Sequence, residues 1–121
     1  MTENEKKAPE TEFQIALDIN TIFKFECNVE GEKLRLVLKQ TNIDTPYYYE
    51  KSFTLEKLYE IHPVFKACKS LKDAQGQFLG SFKMRNASLN WFDDYKKIEM
   101  NFKFYNISEI ICCKFILERN P

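Results

Sequence analysis

Apolar and polar residues alternate along most of this 121-residue chain, which is the pattern of β-strands that bury one face. Between the second and third alternating stretches, Glu30-Gly31 supplies the glycine that a tight hairpin needs for its positive φ. A run of three tyrosines with high β propensity begins a further strand. The predicted strands cover residues 13–19, 23–29, 34–38, 47–53, 87–92, 98–105 and 109–117.

Residues 53–83 break this pattern, because their apolar residues recur at helical spacing. Thr54 is the predicted N-cap of a first helix, and Pro63 ends that helix near Ile61 since proline lacks an amide donor. Ser70, with Asp73 three residues later, resembles a capping box and predicts the start of a second helix. One face of this second helix consists of Leu71, Ala74, Phe78 and Phe82.

Gly76 and Gly80 fall together on another face of the second helix. Each glycine costs the helix about 1 kcal/mol relative to alanine. Two interpretations stay open at this stage: a neighbouring element packs closely against the glycines, or the helix is merely weak.

The order of elements predicts an α+β fold, mainly an antiparallel β-sandwich or partly open barrel of about seven strands. The two-helix insert at 53–83 lies between strands four and five. Residues 1–12 are polar with mixed charge, which predicts a disordered tail, and residues 13–121 form a single domain. Alternation shows only which face of a strand is buried, so it does not decide between sandwich and barrel.

The charges balance at 18 basic and 18 acidic residues, so the chain has no global field to attract polyanions. Nucleic-acid binding is therefore disfavoured. Neither a signal peptide nor a membrane span of about 18 apolar residues is present in the sequence, which disfavours secretion and membrane insertion. Reduced cysteines fit a cytoplasmic or cytoskeletal location.

Candidate metal-binding and catalytic residues are few. Four cysteines contain no C-x-x-C pair and have only His62 to join them, so we predict no metal site and no cofactor. His62 lacks recognisable triad partners, and we interpret it as a helix-cap residue. The adjacent acids Asp93-Asp94 fit a turn better than a catalytic pair, because neighbouring residues do not face each other. Enzyme activity is not expected. The cysteines are Cys27, Cys68, Cys112 and Cys113.

Aromatic residues on two predicted strands are the candidate partner-binding residues. Neighbouring aromatics on one strand project to both faces, so one set can remain outside the core. The alternative is that both faces are covered, one by sheet and one by the helices. A branched apolar residue, Ile107, stands at the apparent tip of the last hairpin and is a further candidate anchor for a partner. The aromatic candidates are Tyr47, Tyr49, Trp91 and Phe92.

Seven strands with two helices between the fourth and fifth, entered through Phe53-Thr54-Leu55, resemble the head domain shared by the centriolar cartwheel protein and the scaffold proteins of DNA end joining. The resemblance is one of element order over residues 13–117. It implies a non-enzymatic assembly module that pairs with a second copy, in the cartwheel branch through a hairpin tip at the position of Ile107. Those proteins continue into a long coiled coil, whereas this sequence ends at Pro121.

We therefore expect a structural or adaptor protein that binds other proteins of a larger complex, with cytoskeletal and ciliary complexes and self-association among the possibilities. A ligand- or single-stranded nucleic-acid-binding module with aromatic stacking platforms is the alternative. That alternative requires basic residues to gather around the rings, namely Lys24, Lys33, Lys39, Lys103 and Lys114. An enzyme centred on His62 and Cys68 ranks last.

Overall fold

The computed structural model describes residues 12–41, 48–92, 96–105 and 109–120. Its strands are β1 (Glu12–Asp18), β2 (Thr21–Glu30), β3 (Lys33–Gln40), β4 (Tyr48–Phe53), β5 (Ala87–Phe92), β6 (Lys97–Tyr105) and β7 (Ile110–Asn120). Between β4 and β5 lie α1 (Leu55–Ile61), a 3-10 turn (Pro63–Ala67) and α2 (Leu71–Lys83). The predicted N-terminal tail falls outside the described residues except for Glu12, which begins β1.

The seven strands form one antiparallel sheet in the order β1-β2-β3-β4-β7-β6-β5. The strand pair most distant in sequence is β4 with β7, in which Tyr48 lies opposite Asn120 and Glu50 opposite Glu118. The sheet curls until its two edge strands, β1 and β5, approach with Cα atoms within 8 Å. The fold is therefore a nearly closed, barrel-like α+β structure, which confirms the predicted fold class and the position of the insert.

Phenylalanine rings fill the interior. Phe78 of α2 lies fully buried, with its ring centroid 4.8 Å from Phe102, 5.1 Å from Phe115 and 5.7 Å from Phe65. Edge-on and stacked rings at such separations add to the gain from burying their area. The inward residues of β2 and β6 meet the same helix, since the Phe82 ring lies 4.1 Å from that of Phe25 on β2 and 5.5 Å from that of Phe102 on β6. The helical insert thus belongs to the core.

Side-chain caps define the insert as predicted. The Thr54 hydroxyl accepts a hydrogen bond from the Lys57 amide at 3.1 Å, and the Ser70 hydroxyl accepts one from the Asp73 amide at 3.2 Å. Pro63 starts the 3-10 turn directly after α1. The apolar face predicted for α2 is confirmed, because its four residues are buried or half-buried.

Two local predictions are decided by the structure. Among the residues that the structure describes, no neighbour lies within 4 Å of a Cβ built on Gly76 or Gly80, so the close-packing interpretation is wrong and these glycines weaken α2. Ile19 continued the apolar alternation of the first strand, but it is 90% exposed. The register shifts between Ala16 and Asp18, and β1 ends there, so Ile19 lies in the turn to β2.

None of the helices within the described ranges has the length and apolar content that crossing a membrane requires.

Candidate functional site

A recess lies where the β2–β3 turn meets the N-terminal ends of both helices. It has a volume of about 610 Å³, and we call it the helix-end groove. Its lining comes from three separate parts of the chain: the turn, the start of α1 and the start of α2. The groove residues are Val29, Gly31, Glu32, Lys33, Thr54, Leu55, Glu56, Ser70, Leu71 and Lys72.

A tight hairpin sets one wall of the groove. Glu30 pairs with Lys33, which leaves a two-residue loop with Gly31 at φ 63° in its first position. This is the positive φ that the sequence predicted, and it fits a type II′ hairpin turn. Val29, near the end of β2 on this wall, is 41% exposed.

The capped helix starts form the opposite wall. The hydroxyl groups of Thr54 and Ser70 are engaged in capping, and the Asp73 carboxylate also accepts from the Lys69 amide at 2.9 Å. These bonds fix the first turn of each helix, which places Leu55 and Leu71 half-buried beside the groove. The wall is thus rigid where it presents apolar side chains.

The groove combines an apolar floor with a charged rim. Val29, Leu55 and Leu71 are apolar lining residues, which we call the floor, and the charged lining residues, which we call the rim, are exposed and carry both signs. An apolar centre enclosed by a polar rim is the usual anatomy of a protein–protein interface. The rim residues are Glu32, Lys33, Glu56 and Lys72.

The structure distributes the predicted partner-binding residues differently. Tyr49 is fully buried, and its ring lies 5.9 Å from Phe23 and 6.0 Å from Trp91. Trp91 is half-buried against the same core. Tyr49 therefore belongs to the core, which was the alternative left open by the sequence, and it offers no surface to a partner.

The remaining partner-binding candidates are not described as surfaces. Tyr47 and Ile107 lie outside the described residues, and Phe92 ends β5 with a side chain that is likewise outside the description. Their predicted role stays a prediction. Sequence reasoning missed Val29, because its alternation with Phe25 and Cys27 is the same as that of a buried residue.

The lysines required by the stacking alternative do not gather at one aromatic surface. Lys39 lies 5.2 Å from the ring centroid of Tyr48, a cation–π contact on the outer face of the sheet. Lys24 is opposite Lys39 but pairs with Glu26 at 3.2 Å. The other three lysines lie on the β2–β3 hairpin end or on β6 and β7.

His62 caps the 3-10 turn, as interpreted from the sequence: its Nδ1 accepts a hydrogen bond from the Val64 amide at 3.0 Å. The pair Asp93-Asp94 lies outside the described residues. Within the described ranges, no group of three or more His, Cys, Asp or Glu side chains is arranged to hold a metal ion.

Three of the four cysteines are buried, and Cys112 is exposed. Burial raises the pKa of the Cys27 thiol to about 12 and that of Cys113 to about 11. Burial also raises the pKa of Cys68, with a smaller contribution from Asp73. A raised thiol pKa keeps sulfur in its neutral, unreactive form, so these three residues act as small apolar fillers.

Comparison of the chain with protein-family models, with curated protein sequences and with solved structures finds no significant match.

Proposed function

We propose that this chain is a non-enzymatic structural or adaptor module that binds a partner protein through the helix-end groove. The observation that carries the proposal is the apolar floor of Val29, Leu55 and Leu71 inside a rim of both charge signs. Buried aliphatic groups provide the affinity in such an interface, while charges at its edge select the partner and its orientation.

The mixed rim favours a folded or helical partner segment with matching charges over a polyanion. Glu32 and Glu56 would repel phosphates, whereas a protein segment can present lysine opposite these residues and carboxylates opposite Lys33 and Lys72. The same chemistry is available within a second copy of the chain. The resemblance noted above adds Ile107 as the group through which such a copy would bind.

The test is affinity purification of the tagged protein from its native cells, followed by mass spectrometry and by binding assays with the purified partner. Val29→Glu places a charge on the apolar floor. Ile19→Glu is the matched control, because it changes an exposed apolar residue at the opposite end of β2. Ile107→Glu tests the hairpin tip in parallel.

We expect a stoichiometric protein partner that Val29→Glu loses and Ile19→Glu keeps. If the partner is a second copy, light scattering of the wild-type chain will show a dimer or larger species that Ile107→Glu dissociates. A partner retained by Val29→Glu, or a strictly monomeric chain that captures no protein, would refute the proposal.

A further inference from the structure

Three exposed basic residues at the other end of α2 lack an acidic partner. Among the described residues, Arg85, Lys103 and Lys114 form no ion pair. The outer face of β2–β4 differs, since Arg35 there lies 2.7 Å from Glu50 and 3.5 Å from Glu30. Other described lysines, such as Lys66 and Lys83, also form no ion pair, so these three residues are distinguished by their grouping and not by the missing partner.

The three cations are neighbours. Lys103 pairs with Cys112 and Asn101 pairs with Lys114, so the two lysines are diagonal neighbours across the β6–β7 pair. Diagonal residues of an antiparallel pair are about 7–8 Å apart, within one Debye length at physiological salt. Arg85 lines the same recess as Lys103. The acidic residue Glu99 is diagonal to Lys114 by the same register, so the positive potential that attracts an anionic group is strongest beside Arg85 and Lys103.

Lys103 also separates two adjoining recesses. One, of about 250 Å³, is lined by Arg85, Asn86, Ser88 and other residues of β5–β7. The second, of about 210 Å³, lies against the glycine face of α2, beside Met84, which is 67% exposed. Asn86 and Lys103 line both recesses. A polar, cationic recess therefore adjoins a less polar one. Both lie at the C-terminal end of α2, which is about 20 Å long, whereas the helix-end groove lies at its N-terminal end.

We propose that this surface, the Lys103 surface, binds an acidic segment of a partner protein, with carboxylates at Arg85, Lys103 and Lys114 and an apolar side chain beside Met84. Nucleic acid fits less well, because three cations over a short distance provide no track along a phosphate backbone. Like the helix-end groove, the Lys103 surface would bind a protein, and this is all that the two proposals have in common. It uses separate residues and can hold if the groove binds nothing.

Arg85 provides a substitution that separates binding from folding. It adopts φ 60° at the end of α2, where the Asn86 amide donates to the Ser81 carbonyl at 2.7 Å and the Arg85 amide to the Phe82 carbonyl at 2.9 Å. These two bonds form a Schellman motif, whose left-handed position favours glycine. Arg85→Gly therefore removes the charge without imposing strain.

The test selects random peptides displayed on phage against the full chain and measures the affinity of the most enriched peptide by fluorescence anisotropy. We expect sequences rich in Asp and Glu around an apolar residue, with binding that weakens as salt rises. Lys103→Glu and Arg85→Gly should each weaken that peptide about fivefold or more. Lys66→Glu, which reverses an exposed cation outside both recesses, and Val29→Glu should leave its affinity unchanged.

Selection of sequences without acidic enrichment, or of none at all, would overturn the inference. So would equal affinity for the Lys103→Glu variant, or tighter binding of single-stranded oligothymidylate than of the selected peptide. Loss of peptide binding with Val29→Glu alone would assign the peptide to the helix-end groove, and the Lys103 surface would then have no role.

Discussion

Arg85 holds a left-handed backbone conformation that costs a residue with a side chain about 1 kcal/mol. Arg85→Gly should therefore raise the free energy of unfolding by at most about 1 kcal/mol, because glycine adopts this conformation without a Cβ clash. The greater backbone entropy of glycine in the unfolded chain reduces this gain. Urea denaturation of both proteins measures the change. A lower stability for the glycine variant would show that the arginine side chain contributes contacts that outweigh the strain.

The buried thiols predict a loss of stability at alkaline pH. Burial raises the pKa of Cys27 from its ordinary 9.0 to about 12, so above pH 9 the unfolded chain ionises this thiol while the folded chain does not. The contribution of Cys27 is complete below pH 9 and is lost as the pH rises toward 12. Its slope approaches about 1.4 kcal/mol per pH unit.

Urea denaturation midpoints measure this effect. They are compared for the wild-type, Cys27→Ala and Cys112→Ala proteins from pH 8 upward to the highest pH at which the wild-type protein remains folded. The pH dependence should become shallower in Cys27→Ala and change less in Cys112→Ala, because Cys112 is exposed and its charge makes only a secondary contribution to the raised pKa of Cys113. Identical slopes in all three proteins would contradict the assignment of the raised pKa to burial.

The neighbouring tyrosines Tyr48 and Tyr49 show what sequence cannot decide at the scale of a residue. Both have the same β propensity, yet Tyr48 is 39% exposed and Tyr49 is buried. The difference follows from the register that sets Tyr49 opposite Leu38 and Arg119. A one-residue slip would exchange the two faces.

At the scale of the element, the buried face of α2 makes the helix part of the core. Phe78→Ala should lower the free energy of unfolding by about 3–5 kcal/mol. The substitution leaves a cavity and removes the ring contacts with the 3-10 turn, β6 and β7. Leu79→Ala is the control, since Leu79 follows in the same helix and is only half-buried. Urea denaturation with similar losses for both variants would contradict the described packing.

The elements themselves were largely predictable, because their signals are local. Thr54, Pro63 and Ser70 mark the helix boundaries through capping and the missing proline amide, and strict alternation marks the strands. The pairing of β4 with β7 has no local signal, since it joins residues 70 positions apart such as Glu50 and Asn120, whose side chains are hydrogen-bonded. Closure of the sheet is therefore not predictable from local sequence patterns.

At the scale of the whole molecule, neither proposed surface could be derived from the sequence. The helix-end groove assembles residues 29–33, 54–56 and 70–72, and the Lys103 surface assembles the end of α2 with three strands. Each contributing segment is short and unremarkable in composition. Val29 shows the difficulty, because it continues the alternation of Phe25 and Cys27, yet it is exposed and they are buried.

Hydrogen–deuterium exchange shows directly whether a partner protein occupies the helix-end groove. The exchange rates of the free chain are compared with those of the chain in complex with the purified partner. The first backbone amides of a helix have no hydrogen-bond acceptor within the helix. We therefore expect fast exchange in the free chain at the first amides of both helices, namely those of Leu55, Glu56, Leu71 and Lys72. We expect slower exchange at 54–56, 70–72 and the β2–β3 turn on binding. Slower exchange confined to the edge strands β1 and β5 or to β6–β7, with these segments unchanged, would contradict it.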